Sequence, residues 1–420
     1  MARLEDQDLD ERRLARRNRR KRSRLIAFII LFFIIVLVVA LIGVGVHYIR
    51  QALPVAKPVE EQVEVTEETE KQDVAIETPD EEESQPVEEY SEEELLTQVV
   101  ESCISEMPLE DKVAGLFITT PEQLTGVETA VKAGSGTKDA LGKYAVGGIV
   151  YAAKNIKSTD QIKEMLDTTA SMSKYPIFTI MSDKAVAADG IKTTLEYDIP
   201  EETEDEEQAG EFGATLGTQL YKYGFNFVIS PSVDSFEDGS LTLAFAKGLK
   251  ESGITACIYR FPVMGETAEA ADSSDITKDD LVMNVYDVIK PALDDGSLGA
   301  VQVSNISLPG LTEDDTPACL SSKVIEDELR GTLGFEGIVI SSPLNEVAVT
   351  ENYDSSEAAI RAIKAGCDMI FLPDNFEEAY EGLLSEVRDG SISEDRVNES
   401  LRRIYSIKYA DRVNQISQGS

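Results

Sequence analysis

Histidine is nearly missing. His47 is the only one in 420 residues, and it sits against the one long apolar run. Everything downstream lacks an imidazole, which excludes a Ser-His nucleophile pair there. It also removes the commonest nitrogen ligand from any zinc or transition-metal site. Cysteine is scarce as well: Cys103, Cys257, Cys319 and Cys367 lie far apart with no metal-like spacing. They make neither a metal knuckle nor a disulfide framework. Cys257 and Cys367 fall inside apolar runs, where small buried hydrophobes belong. Positive charge is in deficit too, with 39 Lys and Arg against 78 Asp and Glu, a net charge of −39 at pH 7. Such a surface repels a phosphate backbone, so nucleic acid is not expected as a partner. No cofactor and no metal are expected.

The charge is unevenly spread. Arg12, Arg13, Arg16, Arg17, Arg19, Arg20, Lys21, Arg22 and Arg24 crowd into the first 24 residues. Residues 25–46 are apolar throughout and uncharged, long enough as a helix to span the roughly 30 Å hydrocarbon core. A cleaved signal peptide would carry a shorter apolar core of about 7–15 residues and small residues at a cleavage site. The run here is longer and no clear site follows it. The basic flank therefore predicts a single-pass anchor with residues 1–24 as a cytoplasmic tail and the remainder outside the cell membrane. Residues 47–95 are dominated by Glu, Asp, Thr, Val, Pro and Gln. They cannot bury enough apolar surface to offset chain entropy, and read as a disordered acidic stalk.

From there to about residue 410 the pattern is globular. Short apolar, β-rich runs recur at 115–119, 147–151, 176–181, 225–230, 254–260, 299–304, 337–341 and 367–372. Segments with helical periodicity separate them, such as 208–223, 322–333 and 355–365. Near-continuous apolar strands alternating with helices imply a parallel sheet covered on both faces. Eight such units predict an α/β fold, a (β/α)8 TIM barrel over residues 96–410 with a short tail at 411–420. A doubly wound open sheet is the alternative. In a barrel, function belongs to the loops after the strands' C-terminal ends.

Several motifs have a recognisable order. Met107-Pro-Leu-Glu-Asp-Lys-Val-Ala-Gly-Leu-Phe117 is followed by Gly147-Gly-Ile-Val-Tyr151 and by Gly224-Phe-Asn-Phe-Val-Ile-Ser-Pro-Ser-Val-Asp234. Then come Leu329-Arg-Gly-Thr-Leu-Gly-Phe-Glu-Gly-Ile-Val-Ile340, Ala365-Gly-Cys-Asp-Met-Ile370 and Ser393-Glu-Asp-Arg-Val-Asn-Glu-Ser400. In this order they resemble the N-terminal barrel of glycoside hydrolase family 3, nearest to single-barrel β-N-acetylglucosaminidases of cell-wall turnover. The resemblance implies a carboxylate nucleophile just after the seventh strand, and an acid/base histidine and Lys-His sugar grip on the fifth-strand loop.

Those positions are altered here. Ser342 stands where the nucleophilic aspartate is implied, and Ser274 where the acid/base histidine is implied, after Asp272 and Ser273. A neutral hydroxyl without an adjacent base is a poor nucleophile and cannot stabilise an oxocarbenium-like state as a carboxylate does. The grip reduces to Tyr259-Arg-Phe-Pro-Val-Met-Gly265. Candidate substrate-binding residues are Ser182, Asp183, Asp234, Tyr259, Arg260 and Asn305, with Val263 and Met264 as apolar infill. Relocated carboxylates are another route, through Asp183, Asp234, Asp272, Glu346 or Asp374. The expectation is a membrane-anchored, extracytoplasmic, catalytically inactive barrel that binds a cell-envelope glycan or an envelope protein. The alternative is an active β-N-acetylhexosaminidase acting on peptidoglycan-derived sugars.

Overall fold

A computed structural model describes residues 91–200, 203, 205–232, 235–236, 238–262, 274 and 276–418, with the side chains of 411–418 excepted. The anchor read at 25–46 and most of the stalk lie outside the described residues, as do Asp234, Val263, Met264, Asp272 and Ser273. Among the described residues no helix is long and apolar enough to cross a membrane.

Eight parallel strands form the sheet: β1 (Phe117–Thr119), β2 (Gly148–Tyr151), β3 (Phe178–Met181), β4 (Phe227–Ser232), β5 (Thr255–Phe261), β6 (Leu298–Val303), β7 (Ile338–Ser341) and β8 (Ile370–Phe371). Their order is β7-β6-β5-β4-β3-β2-β1-β8. A parallel bridge between Ile340 and Met369 brings β7 back to the start of β8, so the sheet closes into the barrel and the open-sheet alternative falls. All eight strands coincide with the apolar runs of the sequence. Strands β2, β3 and β7 are buried along their whole length, as strands packed on both faces must be.

Helices follow the strands as the 3.6-residue periodicity predicts. Ser355–Ala365 is capped by the Asp354 carboxylate, which accepts from the Glu357 amide, and ends at Gly366 with φ of 113°. The helical segment read at 322–333 has a wider winding. Lys323–Thr332 is π-helical, and the Leu333 amide reaches the carbonyl of Glu328, five residues back. The first described helix, Glu92–Glu106, begins within the stretch read as stalk. Ser91 and Glu94 cap it reciprocally, each side chain taking the other's backbone amide.

Close approach is purchased with glycine at two facing helices. A Cβ on Gly213 would collide with the Phe245 carbonyl, and one on Gly248 with the Gly210 carbonyl. Helices Glu206–Lys222 and Gly239–Glu251 therefore touch backbone to backbone, and both contribute to the lining of a cavity shared with the end of β4.

The N-terminal end of the barrel is held by charge. Asp368, fully buried just before β8, accepts from Arg330 at 2.7 Å, Arg403 at 3.0 Å, Ser400 at 2.8 Å and the Val339 amide at 2.9 Å. The same end receives Lys408 from the last helix, Glu394–Gln418. Its ammonium donates to the Gly147 carbonyl at 2.8 Å and lies 4.6 Å from the centre of the Phe178 ring and 4.9 Å from that of Tyr405.

Candidate functional site

At the C-terminal end of the strands a cavity of about 640 Å³ opens among the loops. Its lining includes Ser182, Asp183, Tyr259, Arg260, Asn305 and Ser342, which the sequence singled out one strand at a time. Asp234 lies outside the described residues. Ser274 does not line this cavity; its amide donates to the Ser307 carbonyl at 2.9 Å in the loop after β6.

Each side chain arrives by a local cause. Ser182 follows β3 and caps the short helix Asp183–Ala187, accepting from the Ala185 amide at 3.2 Å. The capping bond fixes the turn that carries Asp183 and Lys184 to the rim. Tyr259 and Arg260 lie just before the end of β5, where the pairing with β6 shifts register between Ile258 and Phe261. Such a bulge re-aims the side chains at a barrel rim. Arg260 has φ of 69°, an uncommon conformation for a residue with a Cβ. Its guanidinium lies 5.4 Å from the centre of the Tyr259 ring.

Beyond β7 the chain passes from Ser341 to Ser342, whose amide donates to the Val303 carbonyl at 2.9 Å. Ser342 is only 9% exposed and lines the cavity. No carboxylate occupies its position. The nearest residue along this loop that offers one is Glu346, which lines the same cavity. The buried Asn305 amide donates to Glu346 Oε2 at 2.8 Å and to the Pro343 carbonyl at 2.8 Å. Asn305 is itself oriented by Cys319, whose thiol donates to Asn305 Oδ1 at 3.0 Å. Burial pushes the Cys319 thiol up to about 12, so it remains a donor at neutral pH. A chain of three side chains thus sets one oxygen of Glu346.

Sequence reasoning missed part of the lining. Thr120, Lys184, Gln302 and Ser304 also face the cavity. The Ser304 hydroxyl is buried and has no partner among the described residues, a polar atom left available at the cavity wall. Asp374, weighed among the relocated acids, is not among the lining residues, whereas Asp183 and Glu346 both are. Among the described residues no three His, Cys, Asp or Glu side chains are grouped to hold a metal ion.

A second cavity of about 1050 Å³ adjoins the first and shares Asp183, Ile229 and Tyr259 with it. The helices Glu206–Lys222 and Gly239–Glu251 supply its far wall, including Phe212 and Phe245.

One family model covers most of the barrel. The glycosyl hydrolase family 3 N-terminal domain matches residues 109–407. The chain belongs to glycoside hydrolase family 3. Among curated relatives, a β-hexosaminidase of Methylobacillus flagellatus is 23% identical over 283 residues, 59% of this chain and 80% of its own length. A β-N-acetylglucosaminidase/β-glucosidase of Cellulomonas fimi is 24% identical over 225 residues, 46% of this chain but only 40% of that protein. A family 3 β-N-acetylglucosaminidase from a Paenibacillus species superposes with a TM-score of 0.65 at 23% identity, covering 73% of this chain and 63% of its own. The chain therefore spans less than two thirds of some relatives. A β-N-acetylhexosaminidase from Beutenbergia cavernae superposes with a TM-score of 0.61 at 21% identity, over 72% of this chain and 99% of its own. At these identities the superpositions show a shared fold.

Proposed function

We propose that this family 3 barrel is tethered outside the cell membrane and binds a cell-envelope glycan without hydrolysing it. The observation that carries the reading is Ser342, a nearly buried serine at the strand end where the resemblance implies a carboxylate. Retaining glycoside hydrolysis needs two carboxyl-type groups flanking the scissile bond, or a carboxylate and a separate acid/base. The barrel has no imidazole to replace the second, since His47 precedes it. The glycan class comes from relatives named as hexosaminidases and N-acetylglucosaminidases. The tether rests on the apolar run at 25–46 with its basic flank.

Asp183 and Glu346 support the second reading, an active β-N-acetylhexosaminidase with displaced acids, because both carboxylates line one cavity. One assay divides the two. The full-length protein, purified in detergent, is expected to release no chromophore from 4-nitrophenyl N-acetyl-β-D-glucosaminide above the uncatalysed rate. Turnover that disappears in Glu346→Gln or Asp183→Asn would establish the second reading instead.

Ser342→Asp is expected to leave that rate unchanged. It supplies one carboxylate, but groups that act as a unit recover little when one member returns alone. A rise of three or more powers of ten, about 4 kcal/mol of barrier, would mean that the remaining machinery is intact.

A further inference from the structure

Two thiols stand outside the glycan reading. Cys319 and Cys367 are fully buried, 48 residues apart in the chain, and neither lines the mouth cavity. We infer that both are positioning residues, which carry the docking of the last helix, Glu394–Gln418, at the barrel floor to the Glu346 carboxylate at the mouth. This goes beyond the glycan reading and does not depend on it.

An unbroken run of hydrogen bonds carries the inference. Arg396, on the last helix, donates from one guanidinium nitrogen to the Ser400 hydroxyl at 2.6 Å and from the other to the Cys367 carbonyl at 2.8 Å. Ser400 in turn donates to Asp368 at 2.8 Å, which ties this first link to the buried network of the floor. The Cys367 thiol donates to the Cys319 carbonyl at 3.4 Å. The Cys319 thiol donates to Asn305 Oδ1 at 3.0 Å, and the Cys319 amide donates to the Ser304 carbonyl at 2.9 Å. Asn305 then commits its amide nitrogen twice, to Glu346 Oε2 and to the Pro343 carbonyl, each at 2.8 Å. Both acceptors belong to the loop after β7, so whatever holds Asn305 holds that loop.

The thiols suit this task because they remain donors. Burial pushes the Cys319 thiol up to about 12 and the Cys367 thiol well above its ordinary value. Neither readily becomes the thiolate that reacts, which favours a positioning use over a redox one. Without the Cys319 thiol, the buried Asn305 Oδ1 would have no donor among the described residues. Glu346 Oε1 accepts from no described residue, so the Asn305 contact at Oε2 is what fixes this carboxylate. Such coupling is reciprocal: a group that immobilises Glu346 also favours the docked last helix.

The test is hydrogen–deuterium exchange of the full-length protein in detergent, read by mass spectrometry over residues 342–350 with no ligand present. Cys319→Val, close in volume and without a donor, is expected to speed exchange there about tenfold, the order that follows when a buried acceptor loses its partner. Cys319→Ser keeps a donor and is expected to stay near wild type. Cys367→Ala removes a weaker bond outside that loop, yet is expected to speed the same amides about threefold. Cys367→Val is the second variant should alanine fail to fold. Arg396→Met leaves Asp368 with Arg330 and Arg403 but breaks the link to Cys367, and is expected to act in the same direction. The control is Cys257→Ala, an equally buried thiol outside this run that is bonded to the Ile258 carbonyl at 3.7 Å, and it is expected to leave residues 342–350 unchanged. Unchanged exchange in Cys319→Val, in the Cys367 variants or in Arg396→Met would overturn the inference, because the run would then be broken at that residue. Equal acceleration in Cys257→Ala would overturn it as well, since any buried truncation would then loosen the loop. Each of these failures leaves the glycan reading standing, because no sugar enters the measurement.

Discussion

Asp368→Ala is expected to destabilise the barrel by about 3–5 kcal/mol, the usual cost of removing one partner from a buried ion pair. Asp368 is fully buried, and its two oxygens serve three different parts of the chain. Arg330 comes from the π-helical segment, Arg403 and Ser400 from the last helix, and the Val339 amide from β7. Arg396 stands 3.8 Å away and also donates to Ser400 at 2.6 Å. Truncation leaves these guanidiniums crowded together with no carboxylate between them, and leaves a buried strand amide without its acceptor. The loss is read as a fall in the urea midpoint of unfolding. Asp368→Asn keeps the shape and should lose less, because the amide oxygen can still accept. A midpoint unchanged by Asp368→Ala would mean that the last helix docks without this network.

The Asp368 network explains which parts of the sequence were readable. The motifs at 329–340, 365–370 and 393–400 lie far apart in the chain, yet Arg330, Asp368, Arg396 and Ser400 meet at one buried point. Together they specify how the barrel closes at its N-terminal end, a scaffold task that does not depend on what happens at the mouth. The strands were legible for a related reason. Burial on both faces leaves a strand few polar positions, so β2, β3 and β7 stand out as apolar runs. The π winding at Lys323–Thr332 was not legible, since its apolar periodicity also fits an ordinary helix.

The mouth was legible only where one strand end carries one residue. Ser182, Tyr259, Asn305 and Ser342 follow from strand boundaries, and the structure brings them to one cavity. Ser304, Gln302 and the Cys319-Asn305-Glu346 relay depend on which side chains turn inward, which strand position alone does not fix. The second cavity was hidden for a further reason. Its wall depends on two helices meeting at Gly213 and Gly248, a long-range approach with no local signature. Ser274 lies apart from this set: its amide is bound to the Ser307 carbonyl and it does not line the first cavity.

Lys408→Met is expected to stabilise the protein below neutral pH and to lose that advantage as the pH approaches 10. Among the described residues Lys408 has no carboxylate partner, and its ammonium donates to the Gly147 carbonyl. Burial draws its ammonium down to about 7, with Cys103 on the first helix opposing the fall slightly. An unfolded lysine titrates near about 10.4. Between these values the unfolded chain holds more protons than the folded one, so this residue makes stability rise with pH across about 7 to 10. Below that window its full cost is present; above it the folded and unfolded forms are both neutral and the cost is gone. The displacement corresponds to at most about 4–5 kcal/mol, and water reaching the partly exposed stem reduces the expected figure to about 2–3 kcal/mol. Methionine keeps most of the apolar stem, one atom short of the ammonium that lies over the Phe178 and Tyr405 rings, and offers them a polarizable thioether instead. The Gly147 carbonyl retains the Phe178 amide as a donor at 3.0 Å, so it is not left unpaired. The measurement is the difference in urea midpoint between wild type and Lys408→Met at pH 6 and pH 9.5. Comparing the two proteins cancels the tyrosines nearby, the partly buried Tyr175 and the buried Tyr405, which are common to both. A difference that is equal at the two pH values would show that the ammonium is fully hydrated and that the barrel floor is open to water at Lys408.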